Sequence, residues 1–101
     1  MSDTPQLNME SDLCAYLQRN NTGSECAVSS KVLEAFFHVK GTEIRRMVNT
    51  LRCAGEPICS SSEGYYYAAN EKEMWATIAQ LSGRITKITL ARDGMLARVA
   101  G

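Results

Sequence analysis

The sequence predicts a mostly helical α+β fold: a three-helix core, then a β-hairpin, then a long helix in the last third. Three observations support this prediction. Apolar residues recur at helical spacing in three early segments, one short segment is rich in serine and tyrosine, and a 4-3 apolar repeat runs through the last third. Because 101 residues leave room for one compact core, we expect residues 1–70 to form one domain and residues 71–101 a separate helical element.

Caps and apolar spacing predict the first two helices. Thr4 and Pro5 are typical of a cap and a first-turn proline, and the helix that follows ends near Asn20. Its inward residues are predicted to be Met9, Leu13, Tyr16 and Leu17. Residues 26–28 are apolar and long enough only for a strand stub. Ser29 or Ser30 then caps a second helix, whose shared apolar face is predicted to comprise Val32, Leu33, Phe36 and Phe37.

A third helix is predicted over residues 42–54, with Gly55 ending it in a left-handed conformation. Its inward residues are predicted to be Ile44, Val48 and Leu51. The segment EPICSSSEGYYYAA then predicts a hairpin, in which a polar serine and glycine turn joins two short strands. Alternate strand residues point to opposite faces, so Tyr65 and Tyr67 share one face and Tyr66 takes the other. One face can pack on the helices, and the other is left for solvent or a partner.

Residues 29–69 resemble the winged helix-turn-helix family. The order of helix, stub, helix, tight turn, helix and hairpin is that of the family. The strongest likeness lies in IRRMVNTLRCAGEPICSSSEGYYYA, which is similar to the third helix, glycine stop and wing of small bacterial and phage regulators and of the DNA-binding domain of the biotin operon repressor. The turn departs from the family pattern. Where glycine, an apolar residue and serine are usual, this chain has His38, Val39 and Lys40, so that Gly41 or Thr42 begins the helix.

The resemblance implies a protein that binds double-stranded DNA, with the third helix in the major groove and the hairpin 57–69 as the wing. Arginine, asparagine and glutamate can bond base edges, while hydroxyls and lysines suit phosphates. The plainer interpretation of the same side chains is helix capping and a solvated helix face. The DNA-contacting residues that the resemblance implies are Ser30, Lys31, Lys40, Thr42, Glu43, Arg45, Arg46, Asn49, Ser61 and Ser62.

The last third carries apolar residues in steps of four and three, a pattern typical of helices that pair with another helix. A helix of about 30 residues extends about 45 Å, more than a compact core can cover. We therefore expect a homodimer through this helix, with a separate protein as the alternative partner, and Trp75 to pack on the hairpin or the first helix. Gly83 and Gly94 mark places where the helix could bend or fray. The residues of this apolar seam are Met74, Ile78, Leu81, Ile85, Ile88, Met95 and Val99, with Arg92 at the one missed position.

Composition and motifs argue against catalysis and against a membrane protein. The four cysteines have separations that match no zinc template, and the single histidine, His38, is predicted to be a turn residue. No nucleotide-binding or hydrolase motif occurs, so we expect no cofactor, no metal and no enzymatic activity. The polar N-terminus and the lack of a long apolar run predict a cytoplasmic protein.

Charge leaves two functions open. The 11 acidic and 11 basic residues sum to zero, but the first 30 residues carry four acids and one base, and the residues from Arg84 onward carry four bases and one acid. We interpret the chain as a small transcription regulator or replication accessory factor of a bacterium or phage. The alternative is a non-catalytic protein-interaction module, which zero net charge and an acidic residue in the wing, Glu63, would favour.

Overall fold

A computed structural model describes the backbone of residues 5–101 and the side chains from residue 9 onward. It confirms a mostly helical α+β fold that contains one antiparallel hairpin and a long C-terminal helix. The predicted cap at Thr4 lies outside the described residues. A short 3-10 helix at Ser24–Cys26 accompanies the main elements, which are α1 (Pro5–Asn20), α2 (Ser30–Phe37), α3 (Gly41–Cys53), β1 (Ile58–Ser61), β2 (Gly64–Tyr67) and α4 (Glu71–Ala100).

The hydrophobic core lies where α1, α2 and α3 meet the hairpin. The three residues predicted to point inward from α3 are buried, and Met47 joins them because it lies on the same side of the helix. The helix begins at Gly41, one residue earlier than predicted, and Gly55 has the expected positive φ of 96°. The buried core consists of Leu13, Leu17, Val28, Leu33, Ile44, Met47, Val48, Leu51 and Ile58.

The predicted apolar face of α2 is only partly buried. Leu33 is fully buried, but Val32 and Phe36 are exposed, because this eight-residue helix meets the core along a narrow stripe. The Phe36 ring packs instead on Tyr16, with ring centroids 4.7 Å apart. Ser29 is the cap, since its Oγ accepts a hydrogen bond from Val32 N. His38 follows the helix in a left-handed turn with φ of 57°, which agrees with the predicted turn role.

The hairpin has the predicted antiparallel pairing and a two-residue turn at residues 62–63. Ile58 pairs with Tyr67, and Ser61 pairs with Gly64. The predicted strand stub is shorter than residues 26–28, because Cys26 belongs to the 3-10 helix and only Val28 bridges to the hairpin. Two backbone hydrogen bonds of 2.8 Å join Val28 to Tyr65.

Both faces of the hairpin are covered. Tyr65 and Tyr67 pack against the helical core, as predicted. The opposite face, expected to meet solvent or a partner, lies instead under α4. There Tyr66 is buried, the Cys59 thiol donates to the Glu73 carbonyl at 3.6 Å, and Thr77 Oγ1 accepts from Ser60 N at 3.3 Å. The first turns of α4 are therefore part of the folded body.

The start of α4 is fixed by reciprocal hydrogen bonds. Asn70 Oδ1 accepts from Glu73 N at 3.0 Å, and the Glu73 carboxylate accepts from Ala69 N and Ser24 N at 2.8 and 2.9 Å. The helix then continues through Gly83 and Gly94, so the expected fraying is absent over residues 71–100. Trp75 is 63% exposed, and the prediction that it packs on the hairpin or on α1 is wrong. Over residues 5–101, every helix is too short or too polar to span a bilayer.

Candidate functional site

A concave groove of about 730 Å³ lies between α3 and the hairpin. The first residues of α2 close one side of it, and α4 contributes Leu81 and Arg84. Gly55 turns the chain between α3 and the hairpin, and the Val28–Tyr65 hydrogen bonds hold β2 beside the start of α2. Its polar lining consists of Ser29, Ser30, Thr42, Arg45, Arg46, Asn49, Arg52, Ser60, Ser61, Ser62, Glu63, Tyr65 and Arg84.

Arg45 and Asn49 project from the exposed side of α3, one helical turn apart, into this groove. Among the residues with described side chains, the ion pairs involve Arg46 and Arg92 but not Arg45. Guanidinium and carboxamide groups present several donors and an acceptor for a ligand at this position. This pair is the most available polar group on α3.

Arg46 and Glu43, both predicted to contact bases, are bound to each other. Arg46 Nε lies 3.1 Å from both Glu43 carboxylate oxygens, and Arg46 Nη1 lies 3.1 Å from Glu10 Oε2. The hydrogen bond from Arg46 lowers the pKa of Glu43, and the hydrogen bond from Glu43 raises the pKa of Arg46. The arrangement ties α3 to α1 and offsets the charge of Arg46.

Arg52 is a structural link between α3 and the hairpin. Its Nε donates to the Ile58 carbonyl at 2.7 Å, and its Nη2 donates to Ser60 Oγ at 3.1 Å. Burial lowers the pKa of Arg52, and the positive charge of Arg84 adds to this effect. The two guanidinium groups thus line the same groove, and among the residues with described side chains neither forms an ion pair.

The structure brings together seven of the ten predicted DNA-contacting residues. Lys31, Lys40 and Glu43 do not line the groove, although both lysines are exposed. Ser30 Oγ donates to Glu34 Oε2 at 2.8 Å, and Ser61 Oγ accepts from Glu63 N at 3.1 Å, so these hydroxyls also have structural partners. The seven residues that line the groove are Ser30, Thr42, Arg45, Arg46, Asn49, Ser61 and Ser62.

Arg84 is the groove residue that sequence reasoning missed. The sequence placed it in a basic C-terminal segment, but nothing local indicates that α4 crosses the hairpin. That placement comes from the buried contact of Thr77 with Ser60. Thr77 lies two helical turns before Arg84 on the same side of α4. The sequence signal for this contact was a polar residue, Thr77, within an apolar stripe.

The apolar seam of α4 divides into two parts. Its first part, Met74, Ile78 and Leu81, lines a small groove of about 220 Å³ beside Pro57 and Ile58. Beyond Leu81, every residue of the seam is exposed, and two further exposed apolar residues, Leu90 and Leu96, lie outside the predicted set. In the described part of the chain, nothing covers this distal surface.

The cysteines form no metal centre among residues with described side chains, where no group of three or more metal-binding side chains occurs. All four thiols are free. Burial, with the nearby charge of Glu56, raises the pKa of Cys14 to about 11, so its reactive thiolate is scarce at neutral pH. Comparison of the chain with protein-family models, curated proteins and solved structures gave no match.

Proposed function

We propose that this chain is a winged-helix DNA-binding protein that acts as a small transcription regulator or replication accessory factor. The observation that carries this proposal is the groove between α3 and the hairpin, with Arg45 and Asn49 available on its α3 wall. In a winged helix, this wall enters the major groove. The order of helices and hairpin supports the same assignment.

In this proposal, Arg45 and Asn49 contact the bases directly. Arginine can donate to both acceptors of guanine, and asparagine can pair with adenine. Thr42, at the start of α3, would contact a phosphate or a base edge near them. Arg46 and Glu43 would act differently from the sequence prediction, because their ion pair leaves them less able to read bases. Arg46 also pairs with Glu10, which ties α3 to α1.

Phosphate contacts would come from several segments around the groove. Ser30 and Lys31 lie at the start of α2, where free backbone N–H groups favour an anion. Lys40 stands at the start of α3, and Ser61 and Ser62 at the hairpin tip would supply hydroxyls. Arg84 adds a cation from α4. Four arginines and one glutamate line the groove, so its local charge is positive although the chain is neutral overall.

A homodimer through α4 would suit this function. The distal seam, exposed in the single chain, would be removed from water by a second copy. Two DNA-binding bodies related by a two-fold axis match the symmetry of palindromic sites. Dimer formation and DNA binding are separate proposals that can fail independently.

Fluorescence anisotropy of a labelled random-sequence duplex, measured at low and moderate salt, tests the DNA proposal. We expect affinity to fall steeply with salt, because neutralised phosphates release counterions. The double variant Arg45→Ala/Asn49→Ala should lose roughly tenfold or more in affinity, since each base or phosphate contact contributes about 1–3 kcal/mol. Lys87→Ala is the matched control, because it removes an exposed positive charge outside the groove.

A second candidate function is favoured by the exposed distal seam and by zero net charge. In this alternative, the chain is a non-catalytic interaction module that docks on a protein without reading DNA. A folded wild-type protein that fails to bind the duplex even at low salt would contradict the DNA proposal and favour this one. An apolar helix interface should also respond little to salt.

A further inference from the structure

The residues of α4 that remain exposed differ between its first and second halves. Near the body, the hairpin covers Thr77 and partly covers Met74 and Leu81, while Trp75 and Ile78 remain 63% and 41% exposed. At about 100° per residue, Trp75 lies about 160° round the helix from the buried Thr77. Ile78 lies between them and lines the small groove beside Pro57 and Ile58. The proximal half of α4 therefore offers an apolar strip that its own body leaves uncovered.

The distal half offers a longer apolar strip. Ile85, Ile88, Met95 and Val99 are all exposed, and Leu96 lies beside them on the same side of the helix as Ile78. The proximal and distal strips thus share one face of a single helix. Neither strip is covered by the residues that the structure describes.

The two halves of α4 carry opposite charge. Residues 71–83 contain two acids and one base, a net charge of −1, whereas residues 84–100 contain four bases and one acid, a net charge of +3. Glu56 and Arg52 both line the groove beside the proximal seam, so their charges offset each other and the net charge of residues 71–83 stays negative. An occupant of the proximal half should therefore be apolar and basic, which describes the distal half of another copy.

We propose that two copies of this chain pair through α4 in an antiparallel orientation, the distal half of each packing on the proximal half of the other. This inference rests on the proposed homodimer and is independent of DNA binding. Seam positions then pair when their residue numbers sum to 173. Ile85 meets Ile88 of the second copy, Ile78 meets Met95, and Leu81 meets Arg92, whose aliphatic stem can cover it.

The same register accounts for residues outside the seam. On one flank, Trp75 meets Leu96 of the second copy, so that two exposed apolar residues outside the 4-3 pattern cover each other. No pair in either flank joins like charges. The flanking pairs are Trp75 with Leu96, Ser82 with Thr89, and Arg84 with Ala91, while Thr77 is already covered by the hairpin of its own chain.

A parallel pair fits these observations poorly. In a parallel two-stranded coil, each seam residue faces its own copy, which would set Arg92 against Arg92 and one basic half against the other. Trp75 would have no apolar residue opposite, because the opposite flank of a parallel pair holds Asn70, Thr77 and Arg84. Charge and apolar coverage therefore both favour the antiparallel arrangement.

Disulfide trapping in the full-length chain tests the orientation. The exposed cysteines are first removed by Cys26→Ser and Cys53→Ser, leaving Cys14 and Cys59 inside the fold. The Ile78→Cys and Met95→Cys variants are then given tags of different length, so that they differ in size. They are mixed, equilibrated and oxidised. We expect a disulfide between the two different chains and almost none within either chain population alone.

The distance between the two Met95 positions distinguishes an antiparallel pair from a parallel one. In the antiparallel pair, the two Met95 positions lie 17 residues apart along the axis, about 26 Å, far beyond the roughly 7 Å Cα separation that a disulfide tolerates. Leu90→Cys, on the opposite side of α4, is the control and should not cross-link. Disulfides between two Met95→Cys chains would indicate a parallel pair and overturn the proposal.

Sedimentation equilibrium on the same samples separates the possible failures. A monomer at all accessible concentrations would overturn the homodimer and its orientation together, while leaving DNA binding to its own test. A dimer that forms neither mixed nor self disulfides would overturn the orientation alone. A dimer with the mixed disulfide supports it.

Discussion

Gly64 shows how one residue joins distant parts of this fold. Its φ is 132°, and a Cβ at this position would lie 2.0 Å from the Val28 carbonyl oxygen. The sequence predicted that glycine would supply a positive φ in the hairpin. It could not predict the close approach, because Val28 reaches the hairpin through contacts made by residues far apart in the chain. The backbone requires glycine here for two separate reasons.

Gly64→Ala should destabilise the protein by at least about 2 kcal/mol, because it combines an unfavourable φ with a clash against backbone. The measurement is urea unfolding followed by circular dichroism at one fixed protein concentration. Gly83→Ala is the control: with nothing within 4 Å and a helical backbone, it should stabilise the protein by about 0.5–1 kcal/mol. Equal effects of the two substitutions would contradict the steric explanation.

At the scale of elements, local signals predicted the helices and the hairpin but not which sides they bury. Caps at Ser29 and Asn70, the stop at Gly55 and the strand pairing are set by neighbours in sequence and were predictable. The exposure of Phe36 and Trp75 depends on how α2 and α4 sit against the body. Periodicity assigns residues to a face, but only tertiary contacts decide how much of that face is covered.

The attachment of α4 should depend on pH through Glu73. Hydrogen bonds from Ala69 N and Ser24 N lower the pKa of this carboxylate below its usual value of 4.5. Because the folded-state pKa is depressed, the charged form contributes stability above pH 4.5, and that contribution is lost as pH falls further. Glu73→Gln should therefore lower stability at neutral pH and flatten its dependence on pH below 4.5.

Thermal unfolding from pH 7 to pH 3 measures this effect. Glu71→Gln is the control, because it removes the same charge from the same first turn of α4 without removing those two hydrogen bonds. Its pH dependence should follow that of the wild type. If both variants show the same pH dependence, the effect would come from the negative charge at the start of α4 and not from the hydrogen bonds of Glu73.

At the scale of the whole molecule, the candidate site depends on α4 crossing the hairpin. The sequence supplied the α3 residues Arg45 and Asn49, because the resemblance implied an exposed face there. It placed Lys31 and Lys40 with them, although neither lines the groove, and it missed Arg84. The described chain measures 53 by 35 by 24 Å, with the distal part of α4 exposed. The same helix therefore lines the groove with Leu81 and Arg84 and exposes an apolar surface further along.

If the chain dimerises through α4, it should bind DNA with two sites more tightly than a monomer does. Ile88→Ala removes a seam residue that is 68% exposed in the single chain, whereas Leu90→Ala removes one of the same size and 66% exposure on the opposite side of α4. If Ile88 is buried between two copies, its truncation should raise the dimer Kd by roughly thirtyfold or more, since such deletions cost about 2–5 kcal/mol.

The consequence is measurable on two duplexes, one with a single binding site and one with two sites in palindromic arrangement. Both duplexes are titrated by anisotropy below the concentration at which the Ile88→Ala variant dimerises. We expect this variant to lose affinity for the palindrome and to keep wild-type affinity for the single site, because a monomer can engage only one site at a time. Leu90→Ala should match the wild type on both duplexes. Equal losses on the single site and the palindrome would mean that Ile88 supports the folded body, and the link between the apolar seam and DNA binding would then be wrong.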